Sequence, residues 1–310
     1  MIDIIMPAYN AHETIHKTLF SICMQDIVKD IKVYIVDDCS EKPYDYLIDD
    51  FKDKLDISLT RLDKNSGPGA CRNKGLDISN NEYIMFIDAD DMFINRKAIS
   101  DLLKKMDGKD LGIGLTLFEN PDKSITYYND HDRCLHGKMY RRSLLDKYNI
   151  RFNNSYRHED SSFHEIVLMS QPKYVYSNTP TYFYKFNDKS LTHDKDENEE
   201  YRTFKSFVEN TMYAINKGIE CGFDRYVITD ISTTAIMYLY YMYQVNYNLD
   251  IKDELFEWMK PLTKYYLDNC SIIPPKRTLE LYHNYSCNYR GILVITFKDF
   301  ISKALKYIGD

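Results

Sequence analysis

The first hundred residues alternate between two hydrophobic periods. Short apolar runs rich in β-branched and aromatic residues (Ile2–Met6, Ile31–Val36, Ile57–Leu62 and Tyr83–Ile87) each end in turn chemistry, which predicts buried strands. Helical patterns separate them. Ile15, Leu19, Ile22 and Cys23 fall at i, i+4, i+7 and i+8, one stripe of an amphipathic helix. Asn10 with Glu13 three residues on predicts a capping box at its start. Pro43 suits the first turn of a second helix, and a third follows Gly67-Pro68-Gly69. Strand–helix alternation of this kind predicts an α/β fold with a Rossmann-like, mostly parallel sheet and helices on both faces. Ligands of such sheets bind beyond the carboxyl ends of the strands. That rule directs attention to Pro7–Asn10, Asp37–Ser40, Asn65–Gly69 and Asp88–Asp91.

After residue 95 the alternation loosens. Ile99, Leu102, Leu103 and Met106 form one more helical stripe, and Leu111–Phe118 one more strand. The acidic, polar run Asp194–Glu200 reads as a linker, and everything beyond it as helix, the last with Phe297, Phe300, Ile301, Ala304, Leu305 and Ile308 on one face. The division predicted is a catalytic domain over 1–195 and an all-helical domain over 196–310. The most apolar late stretch, Tyr226–Tyr247, carries Asp230 and many hydroxyls, so it reads as a buried helix and no integral membrane span is expected.

Charge and cysteine usage narrow the classes. A formal net charge of -7 with 44% hydrophobic and 28% charged residues excludes a largely disordered chain and a protein that coats nucleic acid through its overall charge. The stretch 131–157 is locally basic, with Arg133, Lys138, Arg141, Arg142, Lys147, Arg151 and Arg157. The seven cysteines are scattered and never form a C-x-x-C pair, which favours a reducing compartment over a disulfide framework. The opening Met1–Met6 is too short for a signal h-region and lacks a basic n-region, so a cytoplasmic location is expected.

The strand ends carry the candidate chemistry. Asp88-Ala89-Asp90-Asp91 directly follows an apolar strand. On an extended segment Asp88 and Asp90 point the same way, and two hard oxygen donors suit Mn²⁺ or Mg²⁺; taken alone, such a cluster also reads as a solvated turn or helix cap. Asp37-Asp38-Cys39-Ser40 ends another strand, where a carboxylate can accept from a nucleobase N–H or ribose hydroxyls while Ser40 caps a helix. Pro7-Ala8-Tyr9-Asn10 reads either as a turn or as a wall with Tyr9 against a base. Asn65-Ser66-Gly67-Pro68-Gly69-Ala70-Cys71-Arg72 is a Gly-rich loop running into a helix that bears a cation, a start that favours phosphate.

Together these segments resemble a family 2 glycosyltransferase of the GT-A fold. The likeness rests on Pro7–Asn10, Ser21-Ile22 with Gln25, Val36-Asp37-Asp38 with Ser40, Asn65–Gly75 and Phe86–Asp91, in family order over about residues 1–95. His136–Ser143 and Arg157–Phe163 extend it more weakly to about residue 193, and the helical tail carries no recognisable match. The resemblance implies a nucleotide-diphosphate sugar donor (commonly a UDP-sugar), a divalent metal, and inversion at the anomeric carbon. By position it implies that Pro7, Tyr9, Asp38 and Arg72 line the nucleotide with Asp37 beside them. Ala8, Asn10, Gly67, Ala89 and Lys138 complete the donor-binding set. Asp88 would meet ribose or metal-bound water, Asp90 would hold the metal, and Asp91 is a second candidate ligand. Asp160 would be the catalytic base, against the alternative of an N-cap on the helix bearing Phe163, Ile166 and Val167; Glu159 would support it. His193 is either a further metal or diphosphate ligand or an exposed linker residue.

The acceptor stays open at this point. A hydroxyl of a surface or cell-wall glycan is the first reading. The alternatives are a hydroxylated base in DNA, as in phage-type modification, or a nucleotide-sugar-binding protein without turnover. The basic stretch 131–157 either lines the diphosphate or an anionic acceptor, or is merely solvated. The helical domain would shape the acceptor site or form a homodimer. The last helix, rimmed by Lys298, Lys303 and Lys306, either docks on its own domain or lies peripherally on a membrane.

Overall fold

The computed structural model describes residues 1–128, 134–155, 157–187, 199–245, 252–274, 276–278, 280–281 and 296–306. The chain divides into two compact units, Met1–Asn154 with Glu159–Asp194, and Ser155–His158 with Lys195–Asp310.

The first unit is built on a nine-stranded sheet in the order β3-β2-β1-β4-β8-β6-β9-β5, with β7 beside β6. The strands are β1 (Ile2–Ala8), β2 (Ile31–Asp37), β3 (Asp56–Arg61), β4 (Tyr83–Phe86), β5 (Met92–Phe93), β6 (Leu111–Glu119), β7 (Ile125–Tyr128), β8 (Lys138–Arg141) and β9 (Tyr174–Tyr184). The half β3-β2-β1-β4 is parallel, as the alternation predicts, with Ile2 opposite both Ile31 and Tyr83. Beyond it the sheet is mixed: β8 enters antiparallel to β4 and β6, and β9 lies parallel to β6.

Central strands covered on both faces need no polar alternation, and Ile2, Ile4, Ile5 and Met6 are indeed all buried. On one face α1 (Ile15–Cys23), α2 (Tyr46–Phe51) and α4 (Ala98–Leu103) close a core of Ile4, Met6, Val33, Ile35 and Met85 with Leu19, Ile22, Leu47 and Leu102. On the other, α3 (Pro68–Ile78) packs on β1 through Gly75, where a Cβ would stand 2.3 Å from Ile5 Cγ2. Phe152 and Phe163 stack at 4.1 Å between ring centroids and meet Phe86 edge-on. These contacts seat α6 (Glu159–Met169). Buried Asp3 accepts hydrogen bonds from the backbone of Asn80 and Asn81 and from Arg142, at the head of α5 (Arg142–Lys147).

Two local expectations differ from the structure. The capping box does not form: α1 starts at Ile15, with Thr14 as N-cap and no side-chain cap bond. Asn10 instead takes a positive φ of 50° and turns to the end of β2. Helix α2 begins at Tyr46, beyond Pro43, because Tyr44 is drawn into the core, where its hydroxyl accepts the Ala11 N–H.

The second unit is helical in its described residues: α7 (Glu199–Glu220), α8 (Arg225–Val245), α9 (Lys252–Asn269) and a helix over Phe297–Lys306. The tyrosine-rich face of α8 is core. Tyr240 and Tyr243 pack on Phe300, which meets Phe256 at 5.6 Å. Phe300 and Ala304 of the last helix are fully buried, so that helix docks within its own unit. Asp230 is paired by Arg277. Among the described residues no helix is long and apolar enough to cross a membrane, and the six described cysteines are free thiols.

Candidate active site

The ends of β1 and β2 are laced together by short polar side chains. The Asn10 N–H donates to Ser40 Oγ at 2.9 Å, and Asn10 Oδ1 accepts from the Glu41 N–H. Buried Asp37 accepts the Ser40 N–H and pairs with Arg61. Asp38, 4% exposed, accepts from Ser66 N at 2.7 Å and Gly67 N at 2.8 Å. One carboxylate therefore fastens the Gly-rich loop to the β2 end. Gly67 takes φ +85°, a conformation glycine adopts without a Cβ clash, and Pro68 follows as the first residue of α3. Tyr9 stands 52% exposed above this floor.

The acidic cluster after β4 is a turn, not an extended segment: the Asp91 N–H donates to the Asp88 carbonyl. The turn replaces the period of two, so Asp88 is brought to Asp91 and to His136 at the head of β8. One ligand atom from each of the three lies within 4.8 Å of the others. Asp90 flanks them and accepts from Asn187 Nδ2 at 2.8 Å. Asp91 is buried and accepts from the Tyr182 hydroxyl at 2.6 Å and from the Lys185 N–H. The His136 ring lies against Tyr182 and Tyr184, with its Nε2 3.8 Å from Asp88 Oδ2.

Arg72 crosses behind the cluster. Its guanidinium donates to Asp88 Oδ1 at 2.7 Å and to Glu159 Oε1 at 2.6 Å, and lies 5.5 Å from the centroid of the Phe152 ring. Next to Glu159, Asp160 is half-buried; its Oδ1 accepts the Ser161 N–H, while Oδ2 has no hydrogen-bond partner among the described residues. Helix α6 starts at Glu159, so Asp160 lies inside the first turn and is not the N-cap.

Electrostatics separates the carboxylates. Burial raises Asp88, but Arg72 and His136 outweigh it and hold the group below the usual carboxylate range. Burial pushes Asp90 up, with Asp88 adding to the effect. Asp91 is driven well up by burial and by both neighbouring aspartates, against the pull of His136. Burial lowers His136, yet the neighbouring Asp88 carboxylate and Cys134 carry it well above the ordinary histidine value. Burial also pushes Glu159 up to about 7 despite Arg72. Three carboxylates crowded until two of them resist ionising form a donor set that a divalent cation would relieve. The residues present therefore fit a hard ion of the Mn²⁺ or Mg²⁺ class.

The structure thus gathers Pro7, Ala8, Tyr9, Asn10, Asp37, Asp38 and Gly67 along one strand-end edge, and Arg72, Asp88, Ala89, Asp90, Asp91 and Asp160 around the acidic turn. It does not bring Lys138 there. That side chain is fully buried in β8, and its ammonium donates to the Cys134 carbonyl at 2.5 Å. His193 lies outside the described residues. The sequence reading gave no role to His136, Tyr182 or Asn187. Their segments show no spacing that links them to Asp88–Asp91; the link is the β4–β8 and β5–β9 pairing.

Comparison with known proteins accords with this construction. The model of Glycosyl transferase family 2 matches residues 3–153, and over those residues the chain belongs to glycosyl transferase family 2. The poly(ribitol-phosphate) beta-N-acetylglucosaminyltransferase TarS of Staphylococcus aureus is 29% identical over 203 residues, covering 56% of this chain and 35% of that protein. The corresponding enzyme TarP of the same species is 30% identical over 207 residues, covering 60% of this chain and 63% of TarP. The chain spans less than two thirds of the length of either relative. The crystal structure of S. aureus TarS 1–349 in complex with UDP-GlcNAc superposes with a TM-score of 0.74 at 16% identity, covering 99% of this chain and 91% of that one. That likeness is one of fold, and it confirms the GT-A architecture with a helical region following it.

Proposed function

We propose that this chain is an inverting glycosyltransferase that moves a sugar from a UDP-sugar to a hydroxyl of an anionic glycan of the poly(ribitol phosphate) kind. The observation that carries the reading is the convergence of Asp88, Asp91 and His136 at the carboxyl end of β4, with Asp88 tied through Arg72 to Glu159, the neighbour of Asp160. The named relatives, acting on poly(ribitol phosphate), and the UDP-GlcNAc bound by TarS supply the acceptor and donor classes.

In this reading the nucleotide lies along Pro7–Asn10 and the loop that Asp38 fastens. Asp90, with Asp88 or Asp91, would hold a divalent cation, which supplies positive charge to the leaving diphosphate. Asp160 takes the proton of the acceptor hydroxyl through Oδ2, the oxygen not bonded to Ser161, so that the hydroxyl oxygen attacks the anomeric carbon as the bond to the diphosphate breaks. A single carboxylate base is enough for displacement with inversion, since no covalent sugar intermediate is formed.

The test is a transfer assay with radiolabelled UDP-GlcNAc, Mn²⁺ and three acceptors: poly(ribitol phosphate), a lipid-linked sugar and hydroxymethylated DNA. Label on poly(ribitol phosphate) is expected. Label on DNA alone would replace the acceptor assignment, and no transfer or hydrolysis with any nucleotide sugar would remove the enzymatic reading.

A further inference from the structure

Arg72 is 5% exposed, and both of its guanidinium bonds run to carboxylates rather than to an open surface. Those carboxylates belong to different elements. Asp88 ends the run from β4 on the donor side, and Glu159 heads α6 immediately before Asp160. A second feature marks the same junction. Gly69, one turn ahead of Arg72 on α3, lies so close to the head of α6 that a Cβ there would meet the Asn153 carbonyl at 2.6 Å and Glu159 Cγ at 3.2 Å. The start of α3 and the start of α6 are therefore pressed together, with a charged clamp beneath the contact.

A planar guanidinium with both ends hydrogen-bonded holds two carboxylates at a fixed separation, which a flexible ammonium does not reproduce. We propose that Arg72 is a positioning residue: it locks Asp88, beside the departing diphosphate, to Glu159, and so fixes where Asp160 meets the acceptor hydroxyl. This rests on the functional reading above, and it replaces the direct nucleotide contact that the family resemblance implies for Arg72. Catalytic geometry tolerates little displacement, a shift of about 1 Å at a reacting group costing on the order of a hundredfold in rate.

The test pairs Arg72→Lys with Glu159→Ala and the double variant. Thermal midpoint, UDP affinity by calorimetry, turnover, and the crystallographic position of the Asp160 carboxylate are all read. The expectation is a kcat loss of about a hundredfold in each single variant with UDP affinity within about threefold. The double variant is expected to be no worse than either single one, because members of one unit are non-additive, and Asp160 should be displaced. Glu159→Gln, which keeps an acceptor for Arg72, should recover most of the rate. A tenfold or greater loss of UDP affinity confined to Arg72→Lys would make Arg72 a nucleotide ligand and overturn the proposal. An Asp160 carboxylate left in place in both single variants would overturn it whatever the activity. Failure of the functional reading itself looks different: the wild type would neither bind UDP nor turn over any donor.

Discussion

The Gly-rich loop depends on one carboxylate, and Asp38→Ala isolates that dependence. The substitution removes the acceptor for the Ser66 and Gly67 N–H groups, bonded at 2.7 and 2.8 Å. A hydrogen bond to a charged group contributes about 1.5–3 kcal/mol. Ser66 is exposed and Gly67 half-buried, so water can reach both amides once the loop opens, which selects the lower end. Two bonds at about 1.5 kcal/mol give a loss of about 3 kcal/mol. Asp38→Asn keeps one acceptor oxygen and turns an NH₂ toward the other amide, so about half of that loss is expected. Amide hydrogen exchange followed by mass spectrometry over residues 62–69 reads the effect where it arises. About 1.4 kcal/mol per amide corresponds to roughly tenfold faster exchange at each. Urea denaturation of the first unit should show a matching midpoint shift. Unchanged exchange in Asp38→Ala would mean that the loop is held by something other than this carboxylate.

Three further outcomes are expected. Asp160→Asn should lower turnover by about 10²–10⁴-fold with UDP affinity retained; full activity in a transfer assay would remove Asp160 as the base. Glu159 titrates near 7 when folded and near 4.5 when free. Between those values the folded chain holds one more proton than the unfolded chain, so stability should fall as pH rises, by about 3 kcal/mol in total. Glu159→Gln should flatten that slope in thermal scans from pH 5 to about 7.5, and a slope that survives the change would assign it to another group. Gly75→Ala forces a Cβ to within 2.3 Å of Ile5 Cγ2 and should destabilise the first unit by about 1–3 kcal/mol; an unaltered calorimetric midpoint would deny the close α3–β1 contact.

The parallel half of the sheet was legible because both of its faces are buried. Continuous apolar runs such as Ile2–Met6 leave little choice but a central strand. The rule that ligands sit at strand carboxyl ends pointed to the four strand-end segments Pro7–Asn10, Asp37–Ser40, Asn65–Gly69 and Asp88–Asp91 but not to the head of α6 or to His136. Elements decided by long-range pairing were hidden. Nothing local in Lys138–Arg141 says that it runs antiparallel to β4, and that pairing is what brings His136 to Asp88 and buries Lys138. Local chemistry also misled where tertiary contacts outweighed it. Asn10 and Glu13 have capping-box spacing, yet Asn10 is bonded to Ser40 and Glu41 past the β2 end instead. The period-two argument for Asp88 and Asp90 failed for the same reason: β4 ends at Phe86, and the following turn sets the geometry.

The central claim is that the acidic turn after β4 is where the donor's diphosphate and its cation reside. Anomalous diffraction from crystals soaked with Mn²⁺ and UDP measures this directly. The account predicts a manganese peak coordinated by carboxylate oxygens of the Asp88–Asp91 turn, with the phosphates beside it and the uracil toward Tyr9 and the Asp38 loop. A peak or a nucleotide settled away from those aspartates contradicts it.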